Sequence, residues 1–213
     1  TEDHQFMTDY GWKQLIDIDP TNTKIGIQIH PNSVNMEVES YIILNEEIVR
    51  NKLSELNLSE KLINSHIDSL NKANILPLNS TNSNVAILSR IAGFLMTDGS
   101  INVYNKKHGG WTPQIQANFG LFEDAELFEN DIKTLGFNTV KIDKSDRIFK
   151  GTEYHTYKVC HNGPIASLLT CLDLTLGKYT EVKRVEVPKW IMNGSQNVKR
   201  EFLAGFQGGD GCR

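Results

Sequence analysis

The sequence IAGFLMTDG at positions 91–99 recurs in related form as LAGFQGGDG at positions 203–211. Each copy is an apolar run that contains Ala-Gly and closes with an aspartate and a glycine. A segment that is apolar on nearly every side predicts a buried helix, and small residues let two such helices approach closely. The repeat therefore predicts two packed helices that bring two carboxylates, those of Asp98 and Asp210, to one place.

The two aspartates follow the ends of these helices, where the helix dipole disfavours a carboxylate. Two neighbouring carboxylates also repel each other. A bound divalent cation reverses both costs, so we interpret Asp98 and Asp210 as metal ligands, with Gly93 and Gly205 at the helix interface. One Asp-Gly alone is more typical of a turn that ends a helix. Two copies in matching context favour the metal site.

The chain divides by composition into three regions. Residues 1–40 have the turns and the period-two alternation of short strands, notably over residues 24–29. Residues 41–83 have helical spacing up to Pro77 and then a polar segment, 78–84, that is typical of a domain boundary. Residues 84–213 have a regular alternation of helices and strands. We therefore predict an all-β part, a helical connector and a larger domain.

The third region predicts an α+β fold with the element order α-β-β-α-β-β-α, followed by the first helix of a second such set. In helix 123–135, Leu127, Phe128, Ile132 and Leu135 are expected on one side, and Gly136 ends the helix. The predicted elements are helix 85–98, strands 100–104 and 114–119, helix 123–135, strands 139–142 and 154–160, helix 164–174 and helix 198–209.

The charge distribution bears on possible partners. The net charge is −4, with −6 over residues 1–98 and +2 over residues 99–213. The overall value counts against a nucleic-acid partner, yet no acidic residue lies between Gly99 and Phe122. Three cysteines fit neither a disulfide framework nor a zinc spacing, which favours a reducing, intracellular compartment. No apolar stretch is long enough for a membrane span.

The two repeated segments resemble the paired motif of the LAGLIDADG (dodecapeptide, DOD-type) homing endonucleases. The resemblance implies a DNA-cutting domain with two pseudo-symmetric halves, each placing antiparallel strands in the major groove of double-stranded DNA. It also implies that Asp98 and Asp210 are the catalytic acids and hold Mg²⁺ or Mn²⁺. The chain departs from the motif at positions 96–97 and 207–209 and keeps both acids.

A second segment, VEVPKWI at positions 185–191, resembles the family's segment of a basic residue, an apolar residue and proline. In that family the basic residue helps to position the attacking water. The expected place, three residues before Pro188, holds Val185. Lys183, Arg184 and Lys189 are the neighbouring candidates for this catalytic role, with ordinary surface charges as the alternative.

The first residues, TEDH and then Gly11-Trp12, resemble the Thr-x-x-His block of inteins. The resemblance implies that residues 1–40 are part of a splicing (Hint) domain, in which Thr1 and His4 polarise the N-terminal splice junction. Host-protein exteins would then flank the full-length form, which we expect to be monomeric and to follow its host to the cytoplasm or nucleus. The chain itself is interpreted as a fragment that neither splices nor cleaves alone.

The strands carry the residues that the resemblance assigns to DNA recognition. Amides pair with adenine edges, and lysines meet guanine or phosphate. A solvated sheet face is the alternative for such alternating polar residues. The predicted DNA-binding residues are Asn102, Tyr104, Lys106, Lys107, Gln114, Gln116 and Asn118 on the first hairpin, and Lys141, Lys144, Arg147 and Lys158, together with His155, on the second.

The function predicted from these features is an intein-encoded, site-specific DNA endonuclease that hydrolyses phosphodiester bonds with a divalent metal. One alternative is a non-cleaving nucleic-acid-binding module on the same fold, such as a maturase or a DNA-binding protein. Retention of both Asp98 and Asp210 argues against that alternative. Another is an unrelated domain, in which helices 85–98 and 198–209 would not touch.

Overall fold

A computed structural model describes residues 5–8, 11–14, 17–19, 39–106, 110–149, 152–178 and 186–210. The chain forms two compact units, residues 1–37 and residues 38–213. In the first unit, strand β1 (Gln5–Thr8) pairs antiparallel with strand β2 (Gly11–Gln14). Thr1, His4 and the strand predicted at 24–29 lie outside the described residues.

The second unit begins with a small sheet and two helices. Strand β3 (Ile42–Leu44) pairs antiparallel with strand β4 (Leu78–Asn79). Along the chain, the two strands are separated by helix α1 (Glu46–Glu55) and helix α2 (Glu60–Lys72), which confirms the helical character predicted for this region. Side chains at their N-termini cap both helices: the Asn45 side chain accepts a hydrogen bond from the amide of Ile48 at 2.8 Å, as is typical of asparagine at this position.

The main sheet has five antiparallel strands in the order β7-β8-β6-β5-β9. Three of the four strands predicted in this region correspond to β5, β6 and β8, and each of the three is longer than expected. The strands are β5 (Gly99–Lys106), β6 (Gly110–Phe119), β7 (Asp143–Phe149), β8 (Thr152–Asn162) and the short β9 (Gly177–Lys178).

The strand predicted at 139–142 was wrong, because the structure begins β7 at Asp143. Residues 137–142 contain apolar side chains that pack partly buried against the core. The amide of Val140 donates a hydrogen bond to Glu129 Oε2 at 2.7 Å. This anchoring to a neighbouring helix replaces the strand pairing that alternation alone had suggested.

Five helices complete the unit, and three of them, α3, α4 and α5, pack against the strands of the sheet. They are α3 (Asn84–Leu95), α4 (Phe122–Thr134), α5 (Pro164–Cys171), α6 (Lys189–Met192) and α7 (Gln196–Asp210). Phe94 of α3 stacks against Phe119 of β6 with ring centroids 4.5 Å apart, and Phe128 of α4 joins both. Such aromatic contacts fix how helices sit on a sheet. They position the C-terminal end of α3.

Three of the four residues predicted on the inner side of α4, Phe128, Ile132 and Leu135, are buried, and the prediction is wrong for Leu127 alone. Leu127 is 64% exposed, while Glu129 is 5% exposed and its carboxylate meets His161 Nε2 at 2.6 Å. Ala125, Phe128 and Ile132 are buried on the same side as Glu129. The helix repeat of 3.6 residues places positions 125, 128, 129 and 132 on one side and turns 127 away. A buried hydrogen-bonding partner, His161, rather than hydrophobicity, accounts for the inward position of Glu129.

None of the helices in the described ranges is both long and apolar enough to cross a membrane.

Candidate metal centre and nucleic-acid interface

Helices α3 and α7 cross with their backbones in contact at two glycines. A Cβ atom placed on Gly93 would lie 2.3 Å from the carbonyl oxygen of Phe202. A Cβ atom placed on Gly205 would lie 2.0 Å from the carbonyl oxygen of Arg90. Both distances are far below any allowed contact, so only glycine permits this approach. The structure thus brings together the two positions that the sequence repeat singled out.

The same crossing brings the C-terminal ends of the two helices together. A Cβ atom on Gly209 would lie 1.9 Å from Thr97 Oγ1 and 3.4 Å from the backbone nitrogen of Asp98. Asp98 is exposed just beyond the end of α3, and Asp210 is the last residue of α7. The side chain of Asp210 lies outside the described part of the chain. The backbones that carry the two predicted acids are therefore neighbours.

Hydrogen bonds hold the Asp98 segment against the sheet. The Asp98 carbonyl accepts a hydrogen bond from the amide of Asn118 at 3.2 Å. The buried Thr97 hydroxyl donates to the Phe94 carbonyl at 3.0 Å. Asp98 is thus fixed between the end of α3 and strand β6, next to the polar side chains of the sheet.

The electrostatics of this corner favour a cation. Two helix C-termini converge here, and each presents the negative end of its dipole. Neither α3 nor α7 has a basic residue in its last turn. Aspartate and backbone carbonyl oxygens are hard ligands of the kind that Mg²⁺ and Mn²⁺ prefer. The residues present therefore fit a divalent metal at the junction of Asp98 and Asp210.

A partly buried ionic cluster, which sequence reasoning missed, ties the crossing to the neighbouring helix. Arg90 of α3 donates two hydrogen bonds to the Asp131 carboxylate of α4, at 2.6 and 2.8 Å, and a further one to Glu201 of α7. The hydrogen bond to Asp131 is the main cause that raises the pKa of Arg90. The hydroxyl of Ser89 donates to the carbonyl of Val198 at 2.9 Å, between α3 and α7. Three helices are thereby held in one arrangement.

Replacing Arg90 by methionine is expected to destabilise the domain by about 1–3 kcal/mol. The reason is that the carboxylates of Asp131 and Glu201, whose side chains are only 16% and 20% exposed, lose their charged partner. The value lies below that of a fully buried pair, since Arg90 is itself 39% exposed and screened by solvent. Urea unfolding followed by circular dichroism measures the change. The matched control is Arg50→Met, which removes an exposed pair with Glu60 and should cost less than about 1 kcal/mol. Equal losses of stability in the two variants would contradict the conclusion that the Arg90 cluster holds α3, α4 and α7 together.

The sheet has one apolar and one polar face. Ile101, Ile115 and Val159 are buried on the core side. Register places the alternate residues of β5, β6 and β8 on the other side, where Asn102 lies opposite Gln114 and Asn118 lies opposite Lys158. This polar face contains the predicted DNA-binding residues Asn102, Tyr104, Gln114, Gln116, Asn118 and Lys158.

Asn162 is a member of the polar face that sequence reasoning missed. Its side-chain oxygen accepts hydrogen bonds from the Tyr104 hydroxyl and from Gln114 Nε2, each at 3.2 Å. These bonds order two of the predicted recognition residues. The signal was present in the sequence, because the period-two pattern of β8 continues past Cys160, where the strand had been expected to end.

The expectation that the second hairpin forms one recognition face is wrong for two of its residues. Lys144 and His155 lie on the opposite side of the sheet from Lys158, because residues of different parity on a strand face opposite ways. Lys141 precedes β7 and lies 4.0 Å from Asp143 in an exposed ion pair. Lys106 and Arg147 occupy strand positions, but their side chains, like all of Lys107, lie outside the described residues.

The segment around Pro188 is anchored by its neighbours. Pro188 is buried and precedes α6, and Trp190 Nε1 donates a hydrogen bond to the Leu172 carbonyl at 2.8 Å. Lys189 is exposed at the first position of α6. Lys183 and Arg184 lie outside the described residues. Of the three candidates for the basic residue, Lys189 alone lies within the described residues.

No protein-family model matches the chain. The chain is similar to part of DNA-directed RNA polymerase subunit Rpo1N of Methanocaldococcus jannaschii, with 28% identity over 99% of this chain and 16% of the subunit. It is also similar to part of tRNA-splicing ligase RtcB of Pyrococcus furiosus, with 29% identity over 99% of this chain and 21% of the ligase. The chain therefore spans about a sixth to a fifth of the length of these relatives.

Among solved structures, the chain is similar to the crystal structure of I-DmoI in complex with DNA and Mn. The TM-score is 0.36 and the sequence identity is 12%, over 60% of this chain and 63% of that chain. I-DmoI is a homing endonuclease.

Proposed function

We propose that this chain carries a site-specific DNA endonuclease of the LAGLIDADG kind, encoded within an intein. One observation carries the proposal: α3 and α7 cross at Gly93 and Gly205 and bring Asp98 beside the end of α7. Two carboxylates delivered by paired helices beside a polar sheet are what such an enzyme requires. A chance repeat of a turn motif gives no reason for two glycines to meet at a backbone contact.

In the proposed reaction, Asp98 and Asp210 would hold a divalent metal. When bound, the metal supplies stabilisation of the attacking and leaving oxygens of an in-line displacement. A basic residue, drawn from Lys183, Arg184 and Lys189, orients the attacking water. The Arg90 cluster holds the helix crossing, and through it the two acids, in a fixed geometry.

The polar face is the proposed DNA-reading surface. Its amides suit bidentate pairing with adenine, and Lys158 suits a guanine or a phosphate. The structure gives Asn102, Gln114 and Gln116 half-buried positions on paired strands. Side chains held in this way lose little further freedom on binding, which favours specific readout. Double-stranded DNA is therefore the proposed partner.

The proposal of an intein is supported by the small share of each relative's length that the chain matches. An RNA polymerase subunit and a tRNA-splicing ligase have different names and functions, yet each matches 99% of this chain over a small share of its own length. A segment shared by otherwise different proteins is expected of an inserted element. The resemblance of Thr1 and His4 to an intein block adds to this interpretation. Host exteins are the proposed protein partners, and the host would determine the cellular location.

The proposal is tested on the intact protein that contains this chain. The protein is incubated with a randomised duplex library, with and without Mg²⁺ or Mn²⁺, and newly formed DNA ends are sequenced. Ends that cluster at one sequence only when metal is present are expected. Selective retention of one sequence without new ends would instead establish the non-cleaving binding module. If the protein neither retains nor cleaves any sequence, both the endonuclease and the binding-module interpretations are overturned.

Lys158→Ala is expected to weaken binding to the selected duplex about tenfold at low salt and to reduce the slope of log affinity against log salt by about one. The reason is the loss of one phosphate contact from the polar face. Fluorescence anisotropy across a salt series measures both values. Lys133→Ala is the matched control, since Lys133 is exposed on α4 and this helix packs on the core side of the sheet. An equal change in the Lys133 variant would show that only net charge matters.

A further inference from the structure

The hairpin of β7 and β8 carries three potential metal ligands on one face. Asp146 and His155 are direct cross-strand partners, and Glu153 lies two residues before His155 on the same strand. Period-two alternation places all three on the same side of the hairpin. They share that side with Lys144, away from the polar face that contains Lys158. This cluster was not part of the predicted metal centre.

The three side chains are close enough to share one ion. One ligand atom from each lies within 4.8 Å of the others, and His155 Nδ1 lies 2.8 Å from Asp146 Oδ1. In a tetrahedral site with metal–ligand bonds of about 2.1 Å, ligand atoms lie about 3.4 Å apart. Rotation of exposed side chains covers the difference. The backbone register therefore places the three side chains on one side of the hairpin and within reach of one ion.

The net charge of the cluster also favours the binding of a cation. Asp146 is shared between His155 and Lys144, whose Nζ lies 3.2 Å from Asp146 Oδ1. Within the described parts of the chain, the Glu153 carboxylate has no hydrogen-bond or ion-pair partner. Two carboxylates and one ammonium leave a net negative charge when the imidazole is neutral. One ion would be coordinated by the Glu153 carboxylate and by the His155 imidazole.

The cluster is accessible from solvent. Ile148, on the same side of β7, is 79% exposed, so this side of the hairpin is open to solvent. The side chains of Asp146 and His155 are 55% and 42% exposed. An ion can therefore enter directly, and three protein ligands would leave positions for water.

We propose that Asp146, Glu153 and His155 form a binding site for a divalent transition metal of the Zn²⁺ class. The imidazole selects Zn²⁺, Co²⁺ or Ni²⁺ over Mg²⁺ and Ca²⁺, which prefer all-oxygen ligands. The site joins the edge strand β7 to its neighbour β8. It is separate from the Asp98–Asp210 centre, and it does not depend on the proposed nuclease activity.

The test is calorimetric titration of the chain with Zn²⁺ alone, with the visible spectrum of Co²⁺ as a second readout of the ligand set. The titration uses an Asp98→Asn, Asp210→Asn background, so that the other candidate centre does not contribute. One equivalent of Zn²⁺ is expected to bind. His155→Gln and Glu153→Gln should each weaken binding at least about tenfold, because each removes one of three ligands, and loss of a group that only orients a ligand already costs about 10–100-fold.

Two further variants separate a built site from general surface charge. Asp143→Asn removes an exposed carboxylate from the same strand but from the other face, and it should leave the affinity within about twofold. Lys144→Gln removes the ammonium that competes for Asp146 and should tighten binding by about threefold. The proposal is overturned if no Zn²⁺ binds, or if Asp143→Asn weakens binding as much as His155→Gln does. Circular dichroism of each variant checks that the hairpin and the rest of the fold are retained.

Discussion

Replacing Gly205 by alanine is expected to destabilise the domain by about 3 kcal/mol, the upper end of the usual cost of overpacking. The added Cβ would lie 2.0 Å from the Arg90 carbonyl oxygen. That atom belongs to the backbone, so no side-chain rotation relieves the overlap, and α7 must move away from α3. The movement would also separate Arg90 from Glu201 and the Gly209 backbone from Thr97. Urea unfolding, monitored by circular dichroism, measures the loss.

Gly208→Ala provides the matched control on the same helix. Its added Cβ would lie 3.2 Å from Phe94 Cε2, which is the far end of a side chain. Alanine also gains about 0.5–1 kcal/mol over glycine within a helix. The variant should therefore differ from the parent by less than about 1 kcal/mol. If Gly205→Ala unfolds at the same urea concentration as Gly208→Ala, the two helices do not pack in the arrangement described.

The motif helices were predictable because their information is local and occurs twice. Each has an apolar run with Ala-Gly, and the glycine contact follows from the need of two buried helices to approach. The structure places Gly93 and Gly205 at that contact. The strands of the first hairpin were equally visible, since Ile101 and Ile115 alternate with polar residues and one face is buried.

Strand β7 was less predictable for a physical reason. It is the edge strand of the sheet, and its residues from Asp143 to Asp146 are all exposed. A strand without a buried face has no hydrophobic period to detect. The preceding segment contains Val140 and Ile142, whose burial against the core imitates the pattern of a strand. The prediction therefore fell a few residues too early.

The polar contacts between distant parts of the chain could not be predicted from the sequence. Arg90 meets Asp131 and Glu201, which are 41 and 111 residues away along the chain. Glu129 lies in a helix whose exposed face also contains glutamates, and its burial depends on His161 from a distant strand. Pairings of this kind are decided by tertiary packing. Local periodicity indicates that a helix is amphipathic but does not identify partners.

Asp98→Asn is expected to reduce DNA cleavage by the intact protein at least about a thousandfold. Asp210→Asn should do the same. Each change removes a charged metal ligand while nearly preserving the size of the side chain. Because Asp98 is exposed beyond the end of α3, the helix crossing should survive. Cleavage of the selected duplex with Mg²⁺, measured against the parent protein, gives the loss in rate.

DNA binding by the same variants should be retained and can tighten, since two carboxylates beside phosphates repel them when no metal is bound. Asp68→Asn is the matched control, because Asp68 is exposed on α2 and should leave cleavage unchanged. Loss of cleavage with binding retained would separate the chemical role of Asp98 from a structural one. Cleavage by Asp98→Asn at the parental rate would instead make Asp98 a residue that only ends a helix. The crossing of α3 and α7 would then serve architecture alone, and the enzymatic interpretation of the first motif would be wrong.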